Sequence, residues 1–190
     1  MSSNRQKSFV ATLQLYNEHL HLLDNLHKEP IKRTVTIFSG GFYTGASSTV
    51  DDSYLLGLRP REHSVDITPL KLYFRCAEDY YTLKILSPGA HTDKYLSKDD
   101  FGVLGAFPAA GSETTSFNLL DMNNNIITLD QLHGESQRIR LKARNAGQIS
   151  ASLRRGAPYI YLADIKSQGL EFKLRISERN VPYPDDPNDI

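Results

Sequence analysis

The 190-residue chain has no tryptophan, one cysteine, two methionines and no net charge. The lone Cys76 excludes an intramolecular disulfide framework and a thiolate-rich zinc site. The balance of 22 basic against 22 acidic residues argues against a dedicated nucleic-acid binder, which carries a basic excess. No apolar run approaches the roughly 20 residues that a membrane-spanning helix needs. The first residues lead into no apolar block with a small-residue cleavage site, so no Sec signal peptide is expected. Cytoplasmic residence, or export without a Sec signal, is the corresponding expectation. What is present, 39% hydrophobic residues with ten Tyr and eight Phe, suffices for a folded core.

Neutrality hides an uneven distribution. Residues 136–180 carry ten basic and three acidic side chains, against three and seven over residues 80–135. The last ten residues, Val181 to Ile190, hold three acids and three prolines, and a strand or helix interior is excluded there. This segment reads as an acidic, Pro-rich tail.

Residues 8–27 contain no Gly or Pro, and Phe9, Leu13, Tyr16, Leu20, Leu23 and His27 recur at spacings of three and four. That periodicity predicts an amphipathic N-terminal helix, capped by Ser8 and stopped by Pro30. Residues 1–33 then form a helix and linker, with the apolar stripe docking on the chain's own domain or forming a homodimer seam.

From Thr34 the texture is all-β, with short β-rich runs between turn residues. Three landmarks recur in one order. Apolar strands begin at Val35-Thr-Ile37, Leu83-Lys-Ile85 and Ile139-Arg-Leu141. A Leu followed by a small residue comes next, at Leu56-Gly57, Leu104-Gly105 and Leu162-Ala163. A Phe with an apolar residue two positions on closes each stretch, at Phe74, Phe117 and Phe172. The pattern predicts three units of about four strands over residues 34–79, 80–135 and 136–180, closing on one another. The three Phe residues are expected in the core, and Cys76 beside them as a buried, inert thiol.

This organisation resembles a β-trefoil over residues 34–179. Within that superfamily, Ile139-Arg-Leu-Lys-Ala-Arg-Asn-Ala-Gly147, followed by Ile149-Ser-Ala-Ser152, is similar to fascin-like repeats. The Gln-x-Trp signature of ricin-type lectins is absent. The resemblance implies a binding or scaffolding module; trefoils also serve as protease inhibitors.

The chemistry-bearing motifs are sparse. His19, His21, His27, His63, His91 and His133 show no metal-ligand spacing, and exposed or capping roles are expected for them. His63, Ser64 and Asp66, and His91, Asp93 and Lys94, are close in sequence without a nucleophile–base–orienter arrangement. No phosphate loop or paired-carboxylate motif occurs, so neither an enzyme nor a cofactor is expected. Two binding recipes stand out. Arg138, Arg140, Lys142 and Arg144 alternate with apolar residues, which places four cations on one strand face, with Arg154 and Arg155 at a nearby turn. That set reads either as a solvated face or as a patch for a polyanion or an acidic protein. Asp51, Asp52 and Tyr54, and Asp93 with Tyr95, pair an aromatic ring with carboxylates as sugar-binding turns do. The expectation is therefore a lectin-like module for a glycan or other polyanion. A protein-interaction module of fascin-like type, docking through its N-terminal helix, is the alternative.

Overall fold

A computed structural model describes residues 4–39, 41–62, 66–108 and 115–182. The elements in chain order are β1 (Phe9–Gln14), β2 (Glu18–Leu22), α1 (Leu23–His27), β3 (Lys32–Ser39), β4 (Phe42–Asp51) and β5 (Leu56–Pro60). They continue with β6 (Leu70–Ala77), β7 (Tyr80–Ile85), β8 (Tyr95–Lys98), β9 (Leu104–Phe107) and β10 (Phe117–Leu120). The remainder are β11 (Ile126–Ile127), β12 (Ser136–Ala143), β13 (Gln148–Leu153), β14 (Ile160–Ile165) and β15 (Phe172–Arg179).

The expected N-terminal helix is not found. Its first half is β1, which pairs antiparallel with both β6 and β15. The spacing of apolar residues misleads because Phe9, Ala11, Leu13 and Leu15 satisfy a period of two as well as the wider stripe satisfies a helix. All four are buried. Tyr16, placed on the helix's apolar face, is 67% exposed and sits at the bend between β1 and β2. Two neighbouring strands offer β1 a backbone ladder on each side, and that tertiary pairing overrides a local helical preference. Within residues 8–27 the five residues of α1 are helical, with Leu23 and Leu26 buried and Lys28 in the left-handed conformation at its end.

Six strands close into a barrel in the order β1, β6, β7, β10, β12, β15 and back to β1. Closure gives each ring strand a partner on both sides and removes edges. Three further pairs, β2–β5, β8–β9 and β13–β14, lie off the ring. They meet through the β14–β5 pairing and the bridges Leu55–Gly105 and Val103–Ala163. The sequence expectation of a β-trefoil built of three four-strand units after a helix is corrected accordingly. The structure is a closed six-strand barrel with extra strands, within one 13-stranded sheet, and its first ring strand lies inside the expected helix. Val35–Ile37, expected to open the first unit, belongs to β3 in a separate two-stranded sheet with β4.

The core has two parts. The larger fills the barrel, where Phe74, Phe117 and Phe172 are buried as expected. Phe9 stacks on Phe74 with ring centroids 4.5 Å apart, and Tyr81 meets both edge-on. Cys76 is buried here too, and desolvation pushes its thiol up. The smaller part, including Leu23, Leu26, Ile31, Leu55, Val103 and Tyr161, lies where the off-ring pairs converge. That convergence explains the recurring small residue after Leu. A side chain on Gly57 would collide with the Leu23 side chain and the Ile160 carbonyl, and one on Gly105 with the Tyr54 carbonyl.

Candidate functional site

The first turn of α1, the segment following β4 and the loop joining β7 to β8 border an open groove of about 600 Å³. Local sequence sets each wall. The α1 backbone is pinned at its start by Leu23 N–H donating to Leu55 O (2.9 Å) and Asp24 N–H to Ser53 O (3.1 Å). This holds the Asp24 carboxylate at the groove, where its Oδ1 accepts from the Asn25 backbone (2.7 Å) and side-chain amide (3.1 Å). After β7, Ser87-Pro-Gly89 breaks the strand, and Thr92 Oγ1 donates to both Ser87 O and Gly89 O (2.9 Å each). The tight loop carries His91 to α1.

There the His91 Nε2 lies 2.7 Å from Asp24 Oδ2, while Lys94 Nζ lies 3.3 Å from His91 Nδ1. An ammonium can only donate, so Nδ1 accepts and the ring proton sits on Nε2, pointing at the carboxylate. Both nitrogens are engaged, and His91 is buried. Asp51 stands across the groove, its Oδ1 accepting from Ser53 N–H (2.9 Å). Hydrogen bonds from Ser53, side chain first and backbone second, hold the Asp51 carboxyl below its ordinary value. Lys28, exposed, adds an ammonium, and Pro30 and Ala90 supply apolar surface.

A second pocket of about 230 Å³ lies on the other side of Asn25 and Lys28. His21 lines it, buried, with Nδ1 accepting from Leu22 N–H at 2.8 Å. Desolvation pulls its pKa down to about 4 against the opposing pull of Asp24, so this ring is neutral at neutral pH. The histidines expected as exposed or capping residues thus include two, His21 and His91, that are buried.

The sequence-expected site residues separate. Asp51 is at the groove, but Asp52 turns inward and is 1% exposed. Its carboxylate accepts from Tyr161 OH (2.7 Å) and Arg33 Nε (2.8 Å), with Arg154 Nη1 at 3.8 Å. Tyr54 is half-buried and meets Phe107 edge-on at 5.4 Å. Asp93 is left-handed (φ 67°) at the end of the loop and pairs with Lys84 (3.2 Å), while Tyr95 lies in β8 opposite Lys84 and Phe107. Among the cations, Arg138 and Arg140 converge on Glu171 (3.7 and 2.9 Å). Arg140 is buried and also donates to Met122 O (3.2 Å) and Asn124 Oδ1 (3.1 Å). Lys142 is half-buried in the β12 ladder, and the Arg144 guanidinium lies 3.7 Å from the Tyr80 ring centroid. Arg154 pairs with Asp99 and faces the rings of Phe101 and Tyr161. Arg155 is exposed beside Thr34–Thr36. Among the described residues, the β12 cations and the Arg154 cluster share no hydrogen-bond or ion-pair partner. His63, Ser64 and the tail from Tyr183 onward lie outside the described residues.

Sequence reasoning missed Asp24, Asn25 and Lys28 because they were absorbed into the expected helix and linker. His91 beside Lys94 in a Pro-Gly turn was visible, but its carboxylate partner is 67 residues away. Among the described residues no group of His, Cys, Asp and Glu could hold a metal ion, and no helix is long and apolar enough to cross a membrane. No family model, curated protein or solved structure shows significant similarity to this chain.

Proposed function

We propose that the chain is a non-catalytic binding module that takes a polyhydroxylated ligand, a glycan, in the groove bounded by Asp24, Asp51 and His91. The observation that carries this reading is the convergence of three carboxylates (Asp24, Glu29 and Asp51), an amide and an ammonium on one open groove. Sugar hydroxyls both donate and accept, and such a set meets them in both senses. The Asp24–His91–Lys94 line fixes one carboxylate in place, which lowers the ordering cost of binding. A binding role also suits His91, whose two nitrogens are already committed to Asp24 and Lys94. The polyanion version of the idea is weaker, because Arg140 and Arg154 are spent on internal carboxylates and carbonyls.

A glycan array followed by calorimetry on the best hit tests the proposal. Asp24→Asn and Asp51→Asn should each weaken binding by about tenfold, the effect of turning a charged acceptor into a neutral one. Absence of any hit, or hits indifferent to both variants, would overturn it.

A further inference from the structure

The β3–β4 hairpin borders the Arg155–Gly156 turn along Thr34–Thr36. It forms its own two-stranded sheet, and none of its described residues enters either core. From Thr34 to Val50 the chain contains no Asp, Glu, Lys, Arg or His. Charge resumes only at the base, with Lys32 and Arg33 on one arm and Asp51 and Asp52 on the other. Near the turn, Phe42 is 79% exposed, and Ile37 on the opposite arm is 41% exposed. The tip sequence, Ile37-Phe-Ser-Gly-Gly-Phe-Tyr43, holds three aromatic residues. A 17-residue stretch without charge is unusual for a water-facing insertion, where charged side chains commonly blunt free strands.

We propose that this hairpin is a membrane-surface anchor whose aromatic tip enters the boundary between lipid headgroups and acyl chains. Lipid suits the composition. The arms carry no charge between Thr34 and Val50, and a bilayer takes up an uncharged segment without needing a matching groove. Aromatic side chains favour that boundary. The pairing register puts Thr34 opposite Thr49 and Thr36 opposite Ser47 on one side, and Val35 opposite Ser48 and Val50 opposite Arg33 on the other. Dimensions set the depth. The charge-free arms are Thr34–Ser39 and Phe42–Val50. The shorter one reaches about 20 Å at the strand rise, below the roughly 30 Å hydrocarbon thickness. A lone hairpin also leaves backbone edges that hydrocarbon cannot satisfy. The tip therefore lodges about 5–10 Å deep rather than spanning. The Arg33–Asp52 ion pair at the base marks where entry stops.

The test uses the full chain with neutral phosphatidylcholine vesicles. Because the protein has no tryptophan, Phe42→Trp supplies a single fluorescent reporter at the tip. The expected results are flotation with vesicles that persists at raised salt, and a blue shift of the introduced indole's emission when vesicles are added. Phe42→Asp combined with Ile37→Asp should cut the bound fraction by about tenfold or more, with unchanged circular dichroism, since neither residue is in a core. Four results would overturn the proposal: no flotation of the wild-type chain, equal flotation of the double variant, release of entrapped dye (spanning rather than surface docking), or a vesicle-independent oligomer abolished by the same variant.

Discussion

Replacing Asp52 by Ala would leave Tyr161 OH without its acceptor and two guanidinium groups, Arg33 and Arg154, without their shared carboxylate. Breaking a buried ion pair from one side costs about 3–5 kcal/mol, and the denaturant midpoint should drop accordingly without a change in slope. His21 makes a pH prediction. Its folded pKa of about 4 lies below the ordinary value of 6.5 because burial penalises the charged ring. The unfolded chain therefore binds the proton more readily. The contribution is complete above pH 6.5 and is lost as pH falls toward 4. His19 and His27 are shifted in the same direction, again with desolvation first among the causes. Stability measured by urea unfolding should fall by about 3 kcal/mol over that window from His21 alone. His21→Asn, which keeps an acceptor for Leu22 N–H, should flatten the decline.

Two elements of similar length should respond oppositely to removal. Deleting residues through Leu15 takes out β1, opens the ring and exposes Phe74 and Leu174, so the truncated chain should fail to give a cooperative thermal transition. Excising Thr34–Val50 and joining the arms with a short Gly-Ser turn leaves both cores as they are. The loss of stability should stay within about 1 kcal/mol, read by the same unfolding experiment. The contrast also shows what the sequence discloses. The hairpin of β12 and β13 is legible in the sequence, because Arg138–Arg144 alternates and Asn145-Ala-Gly147 carries turn residues. The closing Phe of each stretch was legible for the same reason. The start was not, since Phe9-Val-Ala-Thr-Leu-Gln-Leu15 fits both periods and only pairing with β6 and β15 decides between them. The groove was half-visible: Asp51 and the His91 turn could be read, whereas Asp24 reaches His91 only through the meeting of distant segments.

At the scale of the whole molecule, the first and last strands of the barrel are neighbours. Val181 N–H donates to Ser8 O (3.0 Å), and Tyr73 OH donates to Val181 O (2.9 Å). Ends held this close can be joined. A circular permutant linking Pro182 to Asn4 through a short Gly-Ser stretch, with new ends between Gly41 and Phe42, should fold and melt within about 4–8 °C of the parent. A collapse of the transition would mean that the hairpin turn does more for folding than its exposure indicates.

The β1–β15 seam also governs the order of events on the ribosome. Strand β1 has β6 as an early partner but waits for its other partner, β15, until translation has passed Arg179. Until then the nascent protein carries an open β edge beside Phe9 and Leu13, sticky to other chains. Holdase chaperones, or a slow codon-paced finish, would matter most in that interval.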